Sequence, residues 1–325
     1  MHLTLLVAGA LLPGELAVAL TTSLNTPTLK ARLSRATCTE QAAPSGFAGA
    51  HFHWLANTLF GHAAPAPTAP YAYARLTGAA APAFVWHADP VHMEAARDHV
   101  IVHTLGSDSP NAKESGALIA IANEFALGTG SRLIESGQRW FLLSDTEWKV
   151  DARPLSAITE GVVELPHGPD ALVWSRLHNE IQMAWHAHDV NVQREADEKR
   201  TINAVWLHGG GRWNPLPPIR FAQVQSDAAE LQGVAEAAGA RASPVDAPMA
   251  DNALFVTDDA WKARQLQDWN AWLRAIVDLD RSLTERPEDA IDLIFSGDTL
   301  RTFELRSSDR YKPWRQRTLV QAFSE

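Results

Sequence analysis

The stretch Pro166–Trp213, PHGPDALVWSRLHNEIQMAWHAHDVNVQREADEKRTINAVWLHGGGRW, decides how the rest of the chain is read. A turn at His167-Gly168-Pro169 leads to Asp170, whose short carboxylate suits a helix N-cap. Beyond it Leu172, Leu177, Ile181 and Trp185 share one side of a helix, widened by Val173, Met183 and Ala184. The period fails at Val190-Asn191, so the helix is expected to end near His188-Asp189, followed by a polar loop. Ala204-Val205-Trp206-Leu207 then reads as a short buried strand stopped by Gly209-Gly210-Gly211. Open α/β sheets place ligand loops at the carboxyl ends of such strands.

Working outward, strands alternate with helices. Leu3–Ala8 is apolar without alternation, as in a strand covered on both faces. Thr26-Pro27 opens a helix through Leu29 and Leu33. Residues 39–82 read as loops and short helices, with His51, His53 and His62 solvated. Phe84–Trp86, Val100–Val102 and Arg139–Leu143 are strands, and Glu114–Phe125 is a helix with Leu118, Ile121 and Phe125 on one face. After the central stretch come a strand within Ile219–Val224, a helix over Ala228–Ala238 and a strand over Ala253–Val256. Trp261–Arg281 is expected as the longest helix, with Leu266, Trp269, Leu273 and Ile276 facing one way. Asp292–Phe295 is the last buried strand, ending in Ser296-Gly297-Asp298. The alternation predicts an α/β protein with a mostly parallel sheet and helices on both faces. Residues 84–166 are expected as a small inserted α+β cap, with residues 1–83 and 167–325 forming the two parts of the core.

Composition narrows the function. At 325 residues, 46% hydrophobic and 20% charged, the chain matches an ordinary globular protein with one large core or two modest ones. A net charge of −10 argues against nucleic acid, which demands a basic surface. The 12 Trp fall mostly in periodic segments and are expected in the core. Cys38 is the single cysteine, so no internal disulfide forms, which suits a reducing cytoplasm. The apolar N-terminal run lacks a basic n-region and is broken by Pro13 and Glu15, which favours a buried strand over an export signal. No uninterrupted apolar run approaches the roughly 18 residues of a membrane span.

Three motifs carry a resemblance. Asn179-Glu180, then His186-Ala187-His188-Asp189-Val190-Asn191-Val192-Gln193-Arg194, then Asn203-Ala204-Val205-Trp206-Leu207-His208-Gly209-Gly210-Gly211 resemble the archaeal-type cofactor-independent phosphoglycerate mutases of the alkaline phosphatase superfamily. Ala88–Val102, ADPVHMEAARDHVIV, together with Asn179–Met183 is similar to the RpfE-type regulatory proteins, a bacterial branch of that group. The likeness runs through nearly the whole chain, including Asn25–Leu29, and implies an alkaline phosphatase-like core. It also implies two divalent metals held by Asp, His and a nucleophilic Ser at strand ends.

The chain departs from that pattern at almost every ligand. The Asp-Gly after the first strand is replaced by Ala8-Gly9, and Phe52-His53 stand where the nucleophilic Ser belongs, ahead of the glycine matched by Gly61. The Asp-x-x-Gly-His motif reads Asp259-Ala260-Trp261-Lys262-Ala263, and the Asp-His after the last buried strand reads Asp298-Thr299. The resemblance with these losses points to a catalytically degenerate protein with a regulatory or accessory binding role. The alternative is an active mutase or related metal-dependent phosphotransferase.

No cofactor is expected under the first reading; two dications (Mn, Zn or Mg) are expected only under the second. Candidate ligand-binding residues are Glu180, His188, Asn191, Arg194 and Asn203, beside Gly209, Gly210, Gly211 and Arg212, forming a pocket for an anionic small molecule. The alternative reading has Asn191 and Asn203 capping turns and Arg194 pairing with Glu180. The weak metal candidates are His87, Asp89, His92 and Asp298, the first three within a cluster that also holds Asp98 and His99 and matches no standard zinc spacing. The basic C-terminal run, Arg306 to Arg317 with Tyr311 and Trp314, reads as a solvated closing segment. The expected partners are an anionic small molecule or another protein, not nucleic acid or membrane.

Overall fold

The computed structural model of the chain describes residues 2–42, 49–61, 66–81, 83–95, 97, 100–157, 162–163, 166–286, 290–312 and 314–325. Two compact units emerge, residues 1–64 with 216–325, and residues 65–215.

The first unit is a mixed α/β layer structure built on a seven-stranded sheet. Its centre is β1 (His2–Val7), every residue of which after His2 is buried. It lies parallel to β11 (Ala253–Thr257) on one side and β12 (Ala290–Ser296) on the other. The parallel set continues through β9 (Gln223–Gln225) to β10 (Arg241–Ser243). Two antiparallel strands, β13 (Thr299–Leu305) and β2 (Thr37–Ala42), complete the far edge. Neither was anticipated: TLRTFEL and TCTEQA are polar enough to read as loop, because antiparallel strands of this kind need apolar residues on only one face.

The helices of this unit are α1 (Gly14–Thr21), α2 (Pro27–Arg35), α3 (Ala50–Leu55), α8 (Ala229–Ala237), α9 (Asp259–Gln265), α10 (Trp269–Thr284) and α11 (Leu319–Phe323). As expected, α2 begins with Pro27 in its first turn and buries Leu29 and Leu33. The long helix expected over Trp261–Arg281 is two helices. Gln267 takes a left-handed φ of 52° between them, and the Asp268 side chain accepts from the Ala271 N–H at 2.9 Å, capping α10 anew. The inward face is therefore Trp272, Ile276, Leu279 and Leu283, while Leu266 is exposed.

The second unit is a six-stranded antiparallel sheet, with β5 (Ser131–Ser136), β6 (Arg139–Ser144), β3 (Phe84–Ala95), β4 (Val100–Thr104) and β7 (Val162–Val163) in that order and β8 (Ala204–Gly211) paired to β3. Its helices are α4 (Ala69–Thr77), α5 (Ala112–Ala126), α6 (Ala171–His186) and α7 (Asp189–Ala196). The boundaries expected at residues 83/84 and 166/167 both fall differently: the unit runs over 65–215. The reason is β8, which pairs with β3 from Val85 to Val91 and so binds Pro166–Trp213 to the preceding strands.

One face of this sheet packs on α5 and α6. Trp174, Leu177, Ile181 and Trp185 of α6 are buried, at spacings of three and four residues. Trp185 sits edge-on to Trp140, and its indole N–H donates to the Leu118 carbonyl at 3.0 Å. Leu172 and Met183, expected inward, are 63% and 71% exposed, and Val173 also faces outward. On α5 the buried line is Leu118, Ala122 and Ala126, with Phe125 turned outward. The expectation for tryptophan holds: eight of the twelve are buried.

Candidate functional site

In a parallel sheet the site belongs at the carboxyl ends of adjacent strands. In the first unit these are the ends of β11, β1 and β12, followed by Asp258-Asp259, Ala8-Gly9 and Gly297-Asp298. The position after β1 is filled by protein. Gly9 has φ 76°, and a Cβ there would lie 2.4 Å from the Trp261 Cα, so the α9 backbone rests directly on the glycine. The Gly9 carbonyl accepts from the Trp272 indole at 2.9 Å.

A buried chain of hydrogen bonds runs beside it. The Gly9 N–H donates to Ser296 Oγ at 3.3 Å, and that hydroxyl shares a hydrogen bond with His51 Nδ1 at 3.1 Å. Burial, aided by the Arg264 charge, lowers the His51 pKa to about 3, so the ring is neutral. Its ring also meets Trp261 edge-on at 4.8 Å. The Ser296–His51 pair has the elements of an activated nucleophile, but Ser296 is 0% exposed, and a substrate has no approach to its oxygen.

Arg264 occupies the remaining space. It donates to the Leu11 carbonyl at 2.8 Å and to Glu325 Oε1 at 2.9 Å, while the same carboxylate oxygen accepts from the Asp298 N–H at 2.9 Å. Asp298 itself lies 3.7 Å from the guanidinium. These residues do not fit a pair of dications. A two-metal site needs several anionic or free imidazole donors around each ion. Here the ligand-type groups are a buried neutral imidazole bonded to Ser296 and carboxylates beside a fixed guanidinium. Among the described residues, no three His, Cys, Asp or Glu side chains are placed to hold a metal ion.

His188, Asn191, Arg194 and Asn203 of the central stretch hold its segments together. α6 ends at His186, and the segment expected as loop is the helix α7, whose N-cap is His188; its Nδ1 accepts from the Val190 N–H at 3.2 Å. Asn191 donates to the carbonyls of Trp185 and Ile202, at 2.8 and 2.9 Å, and accepts from the Ile202 N–H at 2.8 Å, tying the end of α6 to the start of β8. Asn203 makes a similar two-way clasp with the backbone of Met93. Arg194 is 1% exposed and points each nitrogen at a different acceptor: Nε to the Arg200 carbonyl, Nη1 to Glu114 Oε1 at 3.0 Å, and Nη2 to the Asp108 carbonyl. Its carboxylate partner is Glu114, not Glu180, which is exposed on α6. Asp170 does not cap α6 with its side chain; it accepts from the Lys149 N–H at 2.8 Å.

The three glycines lie within β8 rather than beyond it. A Cβ at Gly210 would sit 1.8 Å from Trp86 Nε1, and one at Gly211 would sit 2.6 Å from Pro67 Cβ. Gly209 passes as close to Thr68. Arg212 stacks over the Phe84 ring at 4.6 Å. The run is a packing requirement. Gly210→Ala is expected to lower stability by about 1–3 kcal/mol or more, since Trp86 is a rigid aromatic that cannot yield. A thermal midpoint equal to that of the native chain would show that β8 has room after all.

The weak metal candidates separate. His87 and Asp89 share a face of β3, and His92 has the opposite parity and bonds Thr201 through Nδ1. Asp98 and His99 lie outside the described residues, as does His62. His208, which the sequence reading passed over, completes the group: it donates from Nε2 to Asp89 Oδ2 at 2.8 Å and stacks on His87 at 4.6 Å. Burial, then the neighbouring His208, depresses the His87 pKa well below the ordinary imidazole value. Burial opposes ionisation of Asp89, but His208, His87 and Arg139 together outweigh it and the carboxyl is lowered. The register of β3 and β8, which pairs His87 with His208, was the missing signal.

By fold, the chain is a mixed α/β protein with a six-stranded antiparallel unit between the two segments of its seven-stranded unit. Neither a protein-family model nor a curated protein sequence matches it. Among solved structures, the PH0037 protein from Pyrococcus horikoshii aligns with a TM-score of 0.58 at 13% identity, over 99% of this chain and 92% of that one. A cofactor-independent phosphoglycerate mutase from Thermoplasma acidophilum aligns with a TM-score of 0.45 at 14% identity, over 99% of this chain and 95% of that one. The first likeness establishes a shared fold; the second is too loose to carry an argument. No helix among the described residues is long and apolar enough to cross a membrane.

Proposed function

We propose that this protein is a catalytically degenerate relative of the cofactor-independent phosphoglycerate mutases, of RpfE type, that acts by binding. The sequence motifs at Asn179–Arg194 and Asn203–Gly211 supply the relationship. The observation that carries the loss of catalysis is the backbone of Trp261 packed onto Gly9, with neutral His51 and the Arg264–Glu325 pair beside it. Where the resembled enzymes need anionic ligands at strand ends, this chain has a tryptophan, a neutral ring and a guanidinium. The single cysteine supports a reducing, cytoplasmic setting.

Metal content tests the reading. The full chain, dialysed against Mn²⁺ and Zn²⁺ and then against buffer, is expected to retain no stoichiometric metal by mass spectrometry. Its thermal midpoint is expected to be the same with and without added Mn²⁺, because a ligand that binds the native state must raise stability. Retention of about two ions per chain would restore the active phosphotransferase reading, since two-metal chemistry would then have its clamp.

A further inference from the structure

We propose that the cleft beside the last turn of α2 binds a small oxyanion, with the guanidinium groups of Arg315 and Arg317 as its charged floor. The cleft has a volume of about 320 Å³ and is lined by Ser34, Thr37, Cys38, Arg315, Gln316 and Arg317. That is the small end of the range for ligand sites, about 300–1,000 Å³. It accommodates a phosphate or a small carboxylate.

Each arginine makes its side-chain hydrogen bonds through one nitrogen, and Arg317 also lies over the Phe303 ring at 5.3 Å. Arg315 Nη1 donates to the Arg35 carbonyl at 3.2 Å and to Thr37 Oγ1 at 2.9 Å. Arg317 Nη1 donates to the carbonyls of Leu33 and Ala36, at 3.1 and 3.3 Å. These bonds cap the carbonyls at the end of α2, and a helix C-terminus offers only about half a negative charge to offset them. Two full positive charges exceed that. Among the described residues, Nε and Nη2 of both side chains have no acceptor, and neither arginine has a carboxylate partner. Their basic neighbours do: Arg301 pairs with Glu40 at 3.0 Å, Arg306 with Asp292 at 2.6 Å, and Lys312 with Asp309 at 2.5 Å.

In a chain of net charge −10, two adjacent guanidinium groups without a counter-charge at a cleft mark a place for an external anion. Each presents a free pair of N–H donors in the fork that oxyanions accept. The Thr37 hydroxyl accepts from Arg315 and keeps its hydrogen for the ligand.

Cys38 lines the cleft, is half-buried and is the single cysteine of the chain, so its modification rate reports occupancy. The full chain is treated with an uncharged methanethiosulfonate reagent at constant ionic strength, with chloride, inorganic phosphate or citrate. Saturable slowing by phosphate or by citrate is expected, about fivefold when the anion stands at about four times its dissociation constant. The anion that protects at the lower concentration names the source of the oxyanion. Gln316→Glu, which leaves both arginine caps intact and places a carboxylate at the cleft, is expected to abolish protection without moving the thermal midpoint. Arg315→Gln with Arg317→Gln is expected to abolish it too, with the risk of loosening α2, which is why Gln316→Glu decides. An unprotected Cys38 in the native chain would reduce both arginines to helix caps. Protection that survives Gln316→Glu would place the anion elsewhere. Neither outcome depends on whether metal is retained, so this site and the loss of catalysis are tested separately.

Discussion

Arg194→Ala is expected to destabilise the second unit by about 3–5 kcal/mol, because it removes one partner of a buried ion pair and strands the other. Arg194 is 1% exposed, and Glu114 faces it at 3.0 Å while also closing the capping box of α5 with the Asn111 N–H at 2.8 Å. Two carbonyls, of Arg200 and Asp108, lose their donor as well. Arg194→Lys is not expected to rescue the loss. Three acceptors lie at three positions around a planar fork, and a single ammonium cannot reach them together. Urea titration followed by tryptophan emission measures the effect, since Trp140 and Trp185 lie in this core. A loss below about 1 kcal/mol, the range of an exposed pair, would mean that the site is wetter than its burial indicates.

Acid is expected to weaken the first unit well above the usual carboxylate range. His51 is held neutral down to about pH 3 in the folded chain, but an unfolded histidine takes up a proton near pH 6.5. Between those values the unfolded state binds more protons, so stability rises with pH across the window. The contribution is fully present above about pH 6.5 and is lost as pH falls toward 3. The slope is at most about 1.4 kcal/mol per pH unit, and the ceiling is about 5 kcal/mol if the whole shift is realised. His87 and His178, the latter with a pKa lowered to about 4 chiefly by burial, act in the same direction in the second unit. His51→Asn is expected to flatten the dependence between pH 4 and 6.5, measured as urea midpoints, while losing some stability at pH 7 with the Ser296 bond. An unchanged slope in the variant would show that His51 titrates normally and that the strand-end position is open to water.

The candidate site was only partly legible in the chain. That Ala8, Phe52, Ala263 and Thr299 stand where the resembled mutases would place ligands is what the resemblance implies. What took the place of those ligands was not legible. Trp261 reaches Gly9 across 252 positions of sequence because β11 and β1 are neighbours in the sheet, and Ser296 reaches His51 on α3 across 245. Polar residues in a specific-looking motif left two readings open. His188, Asn191, Arg194 and Asn203 bond backbone or a single distant carboxylate, and the same residue types would serve a ligand equally well.

Sequence by itself determined the elements whose signal is local. Those are the strands His2–Val7, Arg139–Ser144, Ala253–Thr257 and Ala290–Ser296, and the helices over Pro27–Arg35 and Ala171–His186. Each is long or apolar enough for burial to impose a period on its own residues. Tertiary structure alone decided the second sheet's membership, the break at Gln267, how narrow the buried face of α6 is around Leu177, Ile181 and Trp185, and the role of the glycines in β8. Those outcomes depend on partners far away in sequence. Leu172 and Met183 are as apolar as Leu177, and only the position of Trp140 and Leu118 determines which of them is buried. A glycine run reads as a loop until Trp86 and Pro67 lie against it, when the missing Cβ atoms become a matter of space rather than flexibility.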